Sequence, residues 1–171
     1  MKINARLSFV ALFFALFCLV GTSKATQEQT DPVIELSSSI SQKYQDLETI
    51  QKQFDQAKWE ETAVQNLHDN NETNIIRKMQ CQGIEIATLE VPHIDRFFVT
   101  SVAVNDSGLE NFLGIDIGAS LGDVEKIFGT PHEIQDNRFI YSDMESGYLS
   151  VYFVFENDGV VAEMRYDAYV D

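Results

Sequence analysis

The side chains that could carry reaction chemistry are few and scattered. His68, His93 and His132 are the histidines, and none stands three or four residues from another or from Cys81, the spacing a helix would need to hold a metal. Cys81 lies between Gln80 and Gln82 with no basic neighbour to draw out its proton, so a half-buried, inert thiol is expected. A nucleophile–base pair of Cys81 and His93, or a cluster of carboxylates in a cleft, would require distant segments to converge. Gly114, Gly118 and Gly122 lack the Gly-Lys-Ser/Thr ending of a phosphate loop, and the many acids form no Asp-x-Asp-x-Asp-Gly calcium loop. No catalytic, cofactor-binding or metal-binding residue is therefore assigned, and no cofactor is expected. What stands out instead is a possible recognition surface. Tyr148, Tyr152, Val154, Arg165 and Tyr169 fall on the outer side of a predicted hairpin, with the aromatic and arginine composition of protein interfaces.

That hairpin comes from Tyr148–Glu156 and Val160–Ala168 about Asn157-Asp158-Gly159, where Asp-Gly signals a tight turn. A two-residue turn at Asp158-Gly159 predicts Phe155 opposite Ala162, Phe153 opposite Met164 and Val151 opposite Tyr166 on an apolar face. Val154 then meets Glu163, Tyr152 meets Arg165 and Ser150 meets Asp167 on the other. A slip of one residue would bury Glu163 and Arg165 among phenylalanines, which the cost of unpaired charge forbids.

Upstream, Ile115-Asp116-Ile117 reads as a short strand leading into a helix. Ser120 with Asp123 is a capping box, Leu121, Val124, Ile127 and Phe128 make an apolar stripe, and Gly129 in a left-handed conformation with Pro131 ends the helix. Val33–Leu36 suggests another strand. Ser37–Gln56 suggests one helix, with Ile40, Tyr44, Leu47, Ile50 and Phe54 inward and a capping box at Ser39 and Gln42. Lys58–Leu67 fits strand or helix. Ile75–Gln82, Gly83–Val91 and Phe97–Val104 read as strands, the last with Phe98, Thr100, Val102 and Val104 on one face, and another strand is expected near Phe139–Ser142.

Residues 1–25 have the three parts of a secretory signal peptide: basic Lys2 and Arg6, the apolar run Phe9–Val20, and Ser23-Lys24-Ala25 before the expected cleavage. The run is too short to span a membrane, so no transmembrane segment is expected and the product is periplasmic or secreted. The whole chain carries 12 basic against 27 acidic residues, net −15. Cleavage would remove Cys18 and three basic residues, leaving one ordinary domain of about 146 residues and charge of about −18. Such a surface excludes nucleic acid as a partner, and Cys81 alone leaves no internal disulfide.

The strand–helix and hairpin order recurs. Ile34–Leu36 before the Ser37 helix parallels Ile115–Ile117 before the Ser120 helix, and Gly83–Val91 with Val99–Val104 parallels Gly147–Phe155 with Val161–Tyr166. The expected fold class is α+β, with a flexible stretch 26–32 and two tandem helix-plus-antiparallel-sheet units at 33–107 and 108–171.

The motif Gly118-x-Ser120-x-x-Asp123-Val124-x-x-x-Phe128-Gly129-x-Pro131, followed by strands ending in an apolar hairpin, resembles the SmpA/OmlA-like outer-membrane-assembly lipoproteins and the β-lactamase-inhibitor-protein-like fold. The likeness covers about residues 114–166. The lipid-anchor cysteine of those lipoproteins has no counterpart here. The resemblance implies a protein of the bacterial envelope that binds an envelope or secreted protein and has no catalytic role. Two further expectations stand beside it: a homodimer joined through the tyrosine-bearing face, and a small envelope enzyme using Cys81 and His93 or clustered carboxylates.

Overall fold

The computed structural model describes residues 30–66, 68–69, 71–143 and 146–170. The expected signal peptide lies outside the described residues, as does most of stretch 26–32.

The described residues open with a helix where a strand was expected over Val33–Leu36. Asp31 caps helix α1 (Pro32–Lys43), its Oδ1 accepting the Val33 N–H at 2.8 Å, and Pro32 occupies the first turn, where a missing N–H costs nothing. Val33, Leu36 and Ile40 are spaced for a helix and are all buried, which overrides the strand preference of Val33 and Ile34. The single helix expected over Ser37–Gln56 is two. Tyr44 leaves helical geometry (φ −114°, ψ 48°), and Asp46 caps α2 (Leu47–Gln53) by accepting the Thr49 N–H at 2.7 Å. The capping box proposed at Ser39 is not used. Tyr44 and Ile50 still face inward, because the break lets each short helix aim its own apolar side at the sheet.

Eight antiparallel strands form one sheet: β1 (Lys58–Gln65), β2 (Thr73–Cys81), β3 (Ile84–Val91), β4 (Arg96–Val104), β5 (Glu133–Gln135), β6 (Arg138–Ser142), β7 (Leu149–Phe155) and β8 (Val161–Ala168). Their order is β1-β2-β3-β4-β8-β7-β6-β5, so two four-stranded meanders meet where β4 pairs with β8. Lys58–Leu67 resolves as strand β1 over its first eight residues, with Leu67 outside the described residues. The short edge strand β5 was not anticipated.

Two bulges adjust the predicted registers. In β4, Ser101 pairs with Ala87 and Val99 with Thr88, leaving Thr100 as the extra residue. The predicted face of Phe98, Thr100, Val102 and Val104 therefore breaks at Thr100, and Val99 joins Val102 and Val104 in the core. In the last hairpin the turn is three residues, not two, because the Glu156 N–H bonds the Val160 carbonyl. Gly159 sits at φ 82°, a backbone conformation that glycine tolerates best. Phe155 pairs with Val161 rather than Ala162, and a one-residue bulge in β8 restores the predicted pairs Val154–Glu163, Phe153–Met164, Tyr152–Arg165, Val151–Tyr166 and Ser150–Asp167.

Ile115–Ile117 is no strand. Phe112 and Ile115 exchange backbone bonds across a tight Leu113-Gly114 turn, the Asp116 carboxylate accepts the Ile117 N–H, and bonding to β8 begins only at Gly118, whose N–H meets the Val161 carbonyl at 2.7 Å. Helix α3 (Leu121–Phe128) has the predicted capping box, with Val124 and Phe128 buried and Leu121 and Ile127 half-buried at the margins. Gly129 ends it at φ 73°, ψ −148°, a glycine region distinct from the left-handed one expected. One core joins α1, α2 and α3 to one sheet face, drawing on Met79, Ile86, Val102 and Val104 from the first meander and Val151, Phe153, Met164 and Tyr166 from the second. Under α3 the Phe128 ring lies 5.1 Å from Phe153 and 5.3 Å from Tyr141.

Candidate functional site

Because strands alternate, each inward residue fixes an outward neighbour. Val151, Phe153 and Phe155 of β7 and Met164 and Tyr166 of β8 are buried against the helices. Tyr152, Val154 and Arg165 therefore point to the opposite face, and Tyr148 and Tyr169 continue that alternation at the strand ends. Tyr152, Val154 and Arg165 are half-buried and Tyr148 and Tyr169 exposed, so the expected recognition residues share one face of adjacent strands. Tyr148 and Tyr169 are 56% and 63% exposed, with rings stacked at 5.9 Å. Tyr152 lies opposite Arg165 across the strands, and the Arg138 guanidinium sits 5.6 Å from its ring centre, in cation–π range.

The position of Tyr148 is set by a turn that sequence reasoning missed. The Asp143 carboxylate, on a residue only 5% exposed, accepts the N–H groups of Ser146 (2.6 Å), Gly147 (2.9 Å) and Leu149 (3.0 Å). Burial pushes its pKa up, but these bonds and one from the Ser146 hydroxyl outweigh burial and bring it down to about 2. Ser146 Oγ also accepts the Tyr148 N–H, and the Tyr148 carbonyl accepts the Tyr169 N–H at 2.8 Å, which joins the two exposed tyrosines through the backbone. An Asp followed by Ser and Gly after a strand was the available signal.

Beyond the predicted residues, the open face carries a trough. Its floor is Ala87 and Ser101, and its walls are Lys58, Glu60, Lys78 and Gln80 on one side and Arg165 on the other, enclosing about 370 Å³. A second hollow of about 190 Å³ continues it past Arg165 and Glu85 to Gly83 and Asn105. The trough exists because the central strands present small outward side chains while the strands beside them present long ones.

The residues named for an enzymatic alternative do not meet. Cys81 pairs with Ile84 at one end of β3, and His93 follows Val91 at the other, about 23 Å away along the strand. Cys81 is free, half-buried and packed on the core. His132 Nδ1 accepts the Ser142 N–H at 2.9 Å, and His93 lies 3.9 Å from Glu72. Among the described residues no group of three or more His, Cys, Asp or Glu is placed to hold a metal, and no helix is long and apolar enough to cross a membrane.

Other perturbed groups have structural causes away from the open face. Burial first, then the Glu110 carboxylate, raises the Tyr44 hydroxyl, and burial pushes Tyr141 up to about 12. The bond from Lys126, then that from Ser120, lowers Asp123 at the α3 cap to about 2. Comparison with models of protein families, with curated proteins and with solved structures found no match for this chain.

Proposed function

We propose that this chain is an exported, non-catalytic protein-binding module of the bacterial cell envelope, working through the open face of its sheet. The observation that carries the reading is the aromatic-and-arginine surface of Tyr148, Tyr152, Val154, Arg165 and Tyr169 on adjacent strands, with Tyr148 and Tyr169 exposed, opposite the face that packs on the core. The signal-peptide pattern supports export, and the resemblance of the α3 motif to SmpA/OmlA-like proteins supports an envelope partner. The tandem reading, units 33–107 and 108–171 in the manner of the β-lactamase-inhibitor-protein-like fold, is supported by the two meanders, whose final hairpins β3–β4 and β7–β8 flank the junction equivalently.

The test is site-specific photocrosslinking in bacterial cells. A photoreactive phenylalanine in place of Tyr152 should yield one discrete adduct that disappears when Arg165→Glu is added. The same probe in place of Lys126, on the exposed side of α3, should yield none. Equal labelling from both positions, or an adduct indifferent to Arg165, would refute the assignment of the face. An adduct of exactly two copies would move the reading to a homodimer.

A further inference from the structure

Resting on that reading, we propose that the partner inserts an extended acidic segment into the open-face trough, its carboxylates held between Arg165 on one wall and Lys58 and Lys78 on the other. Three observations converge. The first is an orphaned donor: Arg165 Nε is shielded from solvent and makes no hydrogen bond, its nearest carboxylate, Asp167, standing off at 3.9 Å. The side chain as a whole is 41% exposed, so a carboxylate in the trough would accept from the terminal N–H groups of the guanidinium, whose planar recognition of carboxylate suits arginine in particular.

The second is charge. In a chain of net −15, five of the nine basic side chains among the described residues stand in ion pairs: Lys43 with Glu110, Lys52 with Glu48, Arg77 with Glu61 and Glu90, Lys126 with Asp123, and Arg165 with Asp167 at 3.9 Å. Lys58 and Lys78, on the trough wall, form no ion pair among the described residues. Against Lys58, Lys78 and Arg165 the trough sets two carboxylates, Glu60 and Glu85, the latter accepting the Gln80 amide at 3.0 Å. The trough lining thus holds one more cation than carboxylate on a strongly acidic molecule. Repulsion from the rest of the chain is screened beyond roughly 8 Å at physiological salt, whereas contacts inside the trough are closer than that.

The third is shape. From β2 to β8 there are three strand spacings, so the walls stand about 14 Å apart at the backbone, room for one extended chain above Ala87 and Ser101. Side chains of an extended segment alternate, so every second residue would face the floor and meet the cations.

The experiment titrates the folded protein with a blocked peptide alternating Glu and Thr, and with its Gln–Thr counterpart, following amide NMR shifts. The Glu peptide should bind saturably, shift Ala87, Ser101 and Arg165, and weaken with added salt. The Gln peptide should bind at least tenfold more weakly. Arg165→Gln should cost at least tenfold and Arg165→Lys less, with melting temperatures confirming that both fold. Lys126→Gln should change nothing. Equal binding of the two peptides, no saturable binding of the Glu peptide, or undiminished binding by Arg165→Gln would overturn the proposal. A discrete crosslink at Tyr152 with a silent peptide titration would leave the module standing and remove the acidic-segment assignment. Saturable peptide binding with no crosslink would do the reverse.

Discussion

Replacing Asp143 by Asn tests whether one buried carboxylate sets the turn that presents Tyr148. The substitution keeps the shape but puts an NH₂ where an oxygen now accepts backbone N–H groups, and it removes the charge that strengthens those bonds. The magnitude follows from the pKa, which falls from the ordinary 3.8 to about 2 in the folded chain. A depression of that size corresponds to roughly 2 kcal/mol of stability near neutral pH. Because the folded value is the lower one, the contribution is complete above the unfolded pKa and is lost as the pH falls through the folded one. Near pH 2.5 it should have shrunk to below about 1 kcal/mol.

Urea denaturation of the wild-type and Asp143→Asn proteins at a series of pH values supplies the measurement. Other carboxylates titrate in both proteins and cancel in the difference. The expected curve is a gap of about 2 kcal/mol near neutral pH that closes between about pH 4 and pH 2. A gap that stays constant with pH would mean that the cost comes from packing rather than charge. No gap at neutral pH would mean that solvent competes successfully for the turn's N–H groups, and the argument from burial would fail.

Two further substitutions separate the core from its margins and open turns from closed ones. Phe128→Ala removes a ring packed on Tyr141 and Phe153 and should cost about 3–5 kcal/mol by chemical denaturation, whereas Ile127→Ala, at the half-buried margin, should cost clearly less. Gly83→Ala should be severe, because its new Cβ would lie 2.5 Å from Asp106 Cβ at φ 81°, while Gly159→Ala, with open space around it, should cost about 1 kcal/mol, and equal melting temperatures for the two variants would refute the clash.

The parts of the fold that were legible are those in which local chemistry and burial agree. In the last hairpin, phenylalanines alternate with Glu163, Arg165 and Tyr152, so any other register buries charge, and the pairs from Ser150 to Val154 came out as expected. Ser120 and Asp123 likewise name their helix start unambiguously. Where two signals compete, the pattern misleads. Val33 and Ile34 favour a strand, yet Asp31-Pro32 starts a helix. Tyr44 and Ile50 share a face across a break that only the Asp46 cap creates. The bulge at Thr100 has no local mark, since it is imposed by pairing with β3. Strand β5 holds only Glu133, Ile134 and Gln135 and has no alternation to read. The shared face of Tyr148, Tyr152, Val154, Arg165 and Tyr169 was legible because alternation alone places them once the register is known. The opposite wall of the trough was not, because Lys58 and Lys78 belong to strands brought alongside by a pairing between distant segments.

That pairing is what makes the surface one object. Between β4 and β8, Ala103 lies opposite Arg165 and Ser101 opposite Asp167 on the open side, while Val102 meets Tyr166 and Val104 meets Met164 beneath. The small outward residues of one meander thus become a floor beside the long outward residues of the other. The inward residues of the same pairs are all buried and fix the junction. Neither meander alone has both a floor and two walls, so the proposed recognition surface depends on the β4–β8 junction as much as on any residue exposed on it. A face held by four paired backbone positions above a packed core can be preorganised for its partner, which lowers the ordering cost that a mobile loop would bear on binding.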